Sequence, residues 1–215
     1  LGEIFMENTA YVFLNGVMDS KNLFYKEILK GEKNIFCADG GLKYALDIGV
    51  VPLEIWGDLD SADKNLVEKA EKMGSRVIEF DSRKDFTDGE LILSEMEKRG
   101  FEKIVVLGGL GGRTDHLLTN LNLLFKFKNV VFLSEKEKIF KVEKKMTIEN
   151  EEGKTVSFIP MSDTVEEITL TGFEYPLNKY TVKRGESICT SNIVRESCAV
   201  IKFKEGKLLG IIENK

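Results

Sequence analysis

The sequence predicts an α/β protein: a Rossmann-like, mostly parallel sheet domain followed by a small all-β sandwich domain. Three observations carry this expectation. Strand-like and helix-like segments alternate from Thr9 to about Glu135, the rhythm of a doubly wound sheet. Within that stretch Lys103-Ile104-Val105-Val106-Leu107 shows almost no polar alternation, as suits a strand buried on both faces. After about Lys138 the rhythm changes to short strand-like runs punctuated by Gly153, Gly172, Gly185 and Gly206, with no convincing helix. The expected domains are residues 1–138 and 139–215, the boundary falling in the charged stretch Glu135–Lys141.

Ala10–Leu14 is the first expected strand. Lys21–Leu29 reads as a helix closed by Gly31. Asn34–Ala38 is a strand, and Gly41–Ile48 a short helix ended by Gly49. Leu53–Trp56 is the next strand. Asp63–Met73 is a helix with Leu66, Val67, Ala70 and Met73 on one face and Gly74 as its stop. Arg76–Phe80 is a strand. Thr87 starts a helix, with Glu90 completing a capping box, and Gly100 ends it. Beyond the buried strand, Thr114–Phe127 is a helix with Leu117, Leu118, Leu121, Leu124 and Phe125 apolar, and Val130–Leu133 a strand. The expected strands of the second domain are Lys138–Ile148, Thr155–Pro160, Glu167–Thr171, Glu186–Thr190, Ala199–Phe203 and Leu208–Ile212.

Of the 215 residues, 42% are hydrophobic and 31% charged, an ordinary globular mix. The net charge of −5 lacks the basic footprint of a nucleic-acid binder. It still admits a nucleotide ligand, because a metal can supply positive charge locally. Three scattered cysteines and a single His argue against a zinc cluster and for a reducing, cytoplasmic compartment. No apolar run approaches the ~18 residues of a membrane-spanning helix. The first residues carry acids rather than the basic start of a signal peptide. Met6 reads as the native start and residues 1–5 as dispensable for the fold.

In open α/β sheets ligands bind outside the carboxyl ends of the strands, and the unusual residues cluster there. Asp39-Gly40-Gly41 follows one expected strand, and Gly57-Asp58-Leu59-Asp60-Ser61 the next. Arg83-Lys84-Asp85-Phe86-Thr87-Asp88 follows a third, and Gly108-Gly109-Leu110-Gly111-Gly112-Arg113-Thr114-Asp115 a fourth. Two carboxylates one residue apart beside a glycine suit a hard cation such as Mg²⁺; in isolation the pair reads equally as a helix cap and a turn acid. Asp85 and Asp88 add two more. Four packed carboxylates would raise one another's pKa values, which a bound Mg²⁺ resolves. The glycine run opens into a helix N-terminus, where anions are favoured. It matches neither G-x-x-x-x-G-K-[ST] nor G-x-G-x-x-G, so a plain tight turn stays open. Arg113 beside it can cap a transferring phosphoryl group. Lys84 can neutralise phosphate or be a solvated turn lysine. His116 reads as a structural hydrogen-bonder before a general base, Trp56 as core, and Asn120 as a cleft or plain surface residue.

Together these pieces resemble the thiamine pyrophosphokinase family over nearly the whole chain. The matching segments are ADGG at 38–41, GDLDS at 57–61, KDFTDGE at 84–90 and GGLGGRTDHLLTNLNLL at 108–124, then GFEYPL at 172–177 and TSN at 190–192. The resemblance implies a homodimer whose α/β domain binds ATP and Mg²⁺ and whose β-sandwich helps bind thiamine across the subunit interface. It implies attack of the thiamine hydroxyl on the β-phosphorus of ATP, giving AMP and thiamine diphosphate. Asp58, Asp60, Asp85 and Asp88 match the family's acids for metal and for activating the hydroxyl. Asp39, Gly40, Gly41, Lys84, Thr87, Gly109, Gly112 and Arg113 are the implied nucleotide contacts. Asp115, Asn120, Ser191 and Asn192 are the implied thiamine contacts. The chain departs from the family pattern at Glu54, where Asp is common, at Ile193, where Glu is common, and in lacking a second-domain Trp. Asp58-x-Asp60 by itself also suits a metal-dependent sugar-nucleotide transferase or an Asp-nucleophile phosphatase. The departures at Glu54 and Ile193 suit a nucleotide- or thiamine-sensing module that binds without turnover, although such a module has little need for four convergent carboxylates.

Overall fold

The computed structural model describes residues 8–19, 23–57, 63–79 and 86–214. They fall into two compact units, residues 1–135 and 136–215. The first contains β1 (Thr9–Phe13), α1 (Leu23–Ile28), β2 (Ile35–Ala38), a 3-10 turn at Asp39–Gly41, α2 (Leu42–Asp47), β3 (Glu54–Gly57) and α3 (Lys64–Lys72). It continues with β4 (Arg76–Glu79), α4 (Asp88–Lys98), β5 (Lys103–Leu107), α5 (Thr114–Leu123) and β6 (Val130–Leu133). The strands pair in the order β6-β5-β1-β2-β3-β4, every pairing parallel. The chain therefore walks outward from β1 to β4 and then crosses back to β5, on the other side of β1. That reversal is the topological switch point of the sheet.

Both faces of the sheet are covered, which explains why β1 and β5 carry continuous apolar runs. On one face Tyr11, Phe13, Cys37, Ile55, Val105 and Leu107 join Tyr25 of α1, Leu42 and Ala45 of α2, and Val67 and Ala70 of α3 in one core. On the other, α4 packs on β1, β2 and β3, burying Ile92, Leu93 and Met96 completely. Helix α5 is shorter than the apolar pattern predicts. After Leu123 the chain makes i→i+3 bonds, Phe125 N–H to Asn122 O and Lys126 N–H to Leu123 O, the tightening usual at helix ends. Leu118, expected on the apolar face, is 56% exposed.

One buried charge stands inside this core. Glu54 of β3 is fully buried. It accepts from Trp56 Nε1 at 2.9 Å and Arg99 Nη1 at 2.9 Å, and it pairs with Arg76. The Arg99 guanidinium lies over the Trp56 ring, 5.2 Å from its centroid. Trp56 is thereby packed in the core, 5% exposed, as the sequence suggests.

The second unit contains β7 (Glu137–Val142), β8 (Lys145–Glu149), β9 (Thr155–Pro160), β10 (Thr164–Thr171), β11 (Leu177–Lys183), β12 (Asn192–Ile193), β13 (Cys198–Lys202) and β14 (Leu208–Glu213). They form two antiparallel rows, β12-β9-β14-β7 and β11-β10-β13-β8. Alternate residues are buried along β9 and β13, the pattern of a sandwich. The single strand expected over Lys138–Ile148 is two strands that join different rows. The strand β11 escapes sequence reading because only Val182 of it is buried, leaving no alternation to detect. Glu186–Thr190 is not a strand: Gly185 at φ 90° reverses the chain, and turn bonds link Glu186 N–H to Lys183 O and Thr190 N–H to Ser187 O.

Burial alone raises the pKa of Glu54, but the hydrogen bonds from Arg76, Arg99 and Trp56 outweigh it and hold the carboxyl below its ordinary value. Its stabilisation is therefore present above the unfolded-state pKa and lost as pH falls through the lower folded value. Glu54→Gln is expected to cost about 2–3 kcal/mol at neutral pH, by loss of charged hydrogen bonds in a buried site. Urea unfolding should show the gap between variant and wild type closing on acidification; a constant gap would contradict this account.

Candidate functional site

The site grows from the switch point between β1 and β5. Their pairing continues beyond the strand ends, with Leu14 N–H donating to Leu107 O at 2.9 Å, Gly16 N–H to Gly108 O at 2.6 Å and Val17 N–H to Leu110 O at 2.8 Å. Such close backbones exclude side chains. A Cβ on Gly16 would sit 2.5 Å from Gly108 O, and one on Gly41 would sit 2.4 Å from Phe13 O. Tyr44 of α2 donates its hydroxyl to Gly16 O at 2.8 Å and ties the helix to the same crossing. These loops floor a cleft of about 490 Å³, whose wall includes Asp39, Thr87, Asp88, Arg113 and Asn120.

Each wall residue has a local cause. Asp39 follows β2 with φ 44° and is 8% exposed, a left-handed conformation uncommon outside glycine and often found at functional sites. Gly40 and Gly41 complete the turn behind it. Gly57, at the end of β3, lies against Asp39: a Cβ there would be 3.2 Å from Asp39 Cβ. Thr87 caps α4, its Oγ1 accepting from Glu90 N–H at 3.2 Å. The Glu90 carboxylate pairs instead with Lys126, so Glu90 does not complete the predicted capping box by reaching back to Thr87. Asp88 follows in the first turn of α4, where the helix dipole favours a negative charge.

The glycine loop turns through left-handed residues at Gly108, Gly111 and Gly112, with φ of 63°, 71° and 72°. Gly109 leaves room for Phe132, which a Cβ would meet at 2.5 Å. Asn120, in the second turn of α5, reaches back and donates Nδ2 to Gly109 O at 2.9 Å. Arg113, the residue preceding α5, provides no side-chain cap. It grips Asp115 instead, Nε to Oδ1 at 3.1 Å and Nη2 to Oδ2 at 2.6 Å. This pairing pulls the Asp115 carboxyl down to about 2 and raises the arginine. Asp115 Oδ1 also accepts from His116 N–H at 3.0 Å.

In the second unit Asn192 is 1% exposed. Its Oδ1 accepts from Tyr175 N–H at 3.0 Å and Ile193 N–H at 2.9 Å, and its Nδ2 donates to Tyr175 O at 2.8 Å. The carboxamide thus makes three hydrogen bonds to backbone groups. Ser191 beside it is exposed, holds φ 56°, and donates its N–H to Ser157 Oγ at 2.9 Å.

The structure thus brings Asp39, Thr87, Asp88, Arg113 and Asn120 to one cleft, with Gly40, Gly41, Gly109 and Gly112 in the loops that form it. Asp58, Asp60, Lys84 and Asp85 lie outside the described residues. Among the described residues no group of three or more His, Cys, Asp or Glu is placed to hold a metal ion. Leu14, Asn15 and Gly16 line the cleft and were not singled out from the sequence. The available signal was an Asn-Gly pair directly after a fully buried strand, on the sheet edge where ligands bind.

A parallel sheet that gathers carboxylates, an arginine and a glycine-rich helix entrance at its switch point defines an enzyme class that moves phosphoryl groups. Residues 25–133 match the family described as thiamin pyrophosphokinase, catalytic domain, and residues 139–208 that described as thiamin pyrophosphokinase, vitamin B1 binding domain. A thiamine pyrophosphokinase of Bacillus subtilis (strain 168) is 34% identical over 179 residues, covering 80% of this chain and 84% of that one. Among solved structures, thiamine pyrophosphokinase from Bacillus subtilis is similar with a TM-score of 0.82 and 29% identity, covering 95% of this chain and 98% of that one. Thiamin pyrophosphokinase from Geobacillus thermodenitrificans matches with a TM-score of 0.81 and 28% identity, covering 96% and 98%. The chain belongs to the thiamin pyrophosphokinase family.

The Arg113–Asp115 pair makes a direct prediction. In an NMR titration of the ligand-free protein the Asp115 carboxyl should titrate at about 2. In Arg113→Ala it should return toward the ordinary carboxylate range. An unchanged midpoint in the variant would show that the ion pair does not persist in solution.

Proposed function

We propose that this chain transfers the pyrophosphoryl group of ATP to the hydroxyl of thiamine at the cleft of its first unit, releasing AMP and thiamine diphosphate. The observation that carries this reading is the convergence of Asp39, Asp88, Arg113 and the glycine loop on one cleft in a chain of this family. The phosphate chain lies along Gly109–Gly112 and the uncapped start of α5, where backbone N–H groups favour anions. Arg113 releases Asp115 and turns its fork to phosphate oxygens, a bidentate match. Asp39 with Gly40 and Gly41, and Lys84 with Thr87, complete the nucleotide contacts; the Thr87 hydroxyl accepts at the helix cap and keeps its own proton to donate.

The chemistry is a displacement at the β-phosphorus. The thiamine oxygen bonds to that phosphorus, the bond to the α,β-bridging oxygen breaks, and AMP departs with the electron pair. Asp88 receives the hydroxyl proton. Positioning and charge stabilisation do most of the work in such transfers. A set of carboxylate oxygens is the donor chemistry a hard cation prefers, and Asp39 and Asp88 already share the cleft wall. Mg²⁺ would be held by Asp58, Asp60, Asp85 and Asp88, and when bound it supplies positive charge to the phosphate chain. On the thiamine side the reading assigns Asp115, Asn120, Ser191 and Asn192. Ser191 offers an exposed side chain, whereas Asn192 acts by holding the Tyr175 segment in place. The reading also takes the enzyme as a cytoplasmic homodimer. That rests on family membership and on Cys37, Cys189 and Cys198 being free of disulfides. No described helix is long and apolar enough to cross a membrane.

Incubation with ATP, Mg²⁺ and thiamine should release AMP in a thiamine-dependent manner, and EDTA should abolish it. Formation of ADP or free phosphate instead would move the attack to another phosphorus and overturn the reading. Asp88→Asn should lower turnover by about 10²–10⁴, the usual contribution of a positioned acid–base group, with its unfolding midpoint retained.

A further inference from the structure

Asn15 has no role in the reading above, yet it is among the most constrained residues at the cleft. Its neighbours on both sides are pinned. Leu14 donates its N–H to Leu107 O, and Gly16 both donates its N–H to Gly108 O and accepts from the Tyr44 hydroxyl. The backbone of Asn15 therefore has little freedom, and its side chain lines the cleft that Asp39, Asp88 and Arg113 share.

The carboxamide itself is held against Gly40. A Cβ at Gly40 would lie 2.4 Å from Asn15 Nδ2, 2.5 Å from Cγ and 2.7 Å from Oδ1. A side chain at Gly40 would displace the Asn15 amide from this position. Among the described residues no hydrogen bond takes up this amide. A side chain packed this closely, exposed on the cleft and left with its donors is a pre-set contact for a ligand. Asn offers two N–H donors and a carbonyl and carries no charge. Beside Asp39 and Asp88 a lysine would be drawn into an ion pair, and a carboxylate would repel a phosphate. A neutral donor does neither, and donors fixed before the reaction need no reorganisation when charge develops.

We propose that Asn15 is a substrate-contacting residue, donating from Nδ2 to a phosphate oxygen of the nucleotide, with Gly40 as the seat that orients its amide. This rests on the reading that the cleft takes the phosphates of ATP.

The test uses the full chain and two variants. Asn15→Asp keeps the shape that packs on Gly40 but replaces the donor with a charge. Asn15→Ala removes the group. Both should unfold at the wild-type midpoint. For Asn15→Ala, kcat/KM for ATP should fall about tenfold, the effect of one charge-assisted hydrogen bond. For Asn15→Asp it should fall further. The KM for thiamine should stay near wild type in both, and ATP binding by calorimetry should weaken in parallel. Wild-type kcat/KM for ATP in Asn15→Asp would overturn the inference. So would a lowered unfolding midpoint with unaltered ATP dependence, which marks a purely structural residue. Wild-type protein in the same series separates the two levels. If it neither binds ATP nor releases AMP, the cleft reading itself fails. If it does both and the variants match it, only the role of Asn15 fails.

Discussion

The architecture of the cleft depends on one close approach of backbone to backbone. Beyond the ends of β1 and β5, Gly16 and Gly108 meet at a hydrogen bond of 2.6 Å, and Gly41 lies where a Cβ would reach 2.4 Å from Phe13 O. No side chain fits at Gly16 or Gly41, so glycine here is a requirement of space rather than of flexibility. The consequence is chemical. With the loops drawn this tightly together, Asn15, Asp39 and Arg113 line one cleft at the point where the sheet reverses its winding. Asn120 adds a second tie by holding the Gly109 carbonyl.

A different device secures the strand leading toward the predicted metal acids. A bare carboxylate at the start of β3 would be costly to bury. Glu54 is tolerated because Trp56, Arg99 and Arg76 all donate to it, and Arg99 packs its planar face on Trp56 as it does so. Glu54 is therefore met by a matched set of partners, one from β3 itself, one from β4 and one following α4. In the second unit Asn192 does comparable work with a neutral group. It closes three hydrogen bonds around Tyr175 and Ile193 and so shapes the segment in which Ser191 is exposed.

Much of the fold is legible from local pattern because its strongest elements announce themselves locally. The apolar runs of β1 and β5, the Thr87 cap of α4 and the glycine stops after helices are each decided within a few residues. Reading failed where the deciding force was remote. The strand β11 has one buried residue, and it is a strand because β10 pairs with it. The run Lys138–Ile148 divides because its halves pair with β14 and β13 respectively. The apolar pattern of α5 overran its true end because Leu124 and Phe127, just past the helix, are buried as well.

The sequence by itself determined which chemistry is present: acids, glycines and an arginine at the ends of successive strands, and their grouping into two units of different class. Those follow from residue type and period, which are local properties. Only the tertiary structure decided how the groups are placed and partnered. Asn192, an implied thiamine contact, is bonded to the backbone of Tyr175 and Ile193. Arg113, which the sequence offers as a phosphoryl cap, is held by Asp115, and Asn15, which nothing in the sequence singles out, is set against Gly40 at the cleft. Each outcome depends on a partner whose position only folding fixes, since a hydrogen bond or a steric contact is a fact about distance and spacing along the chain does not record it.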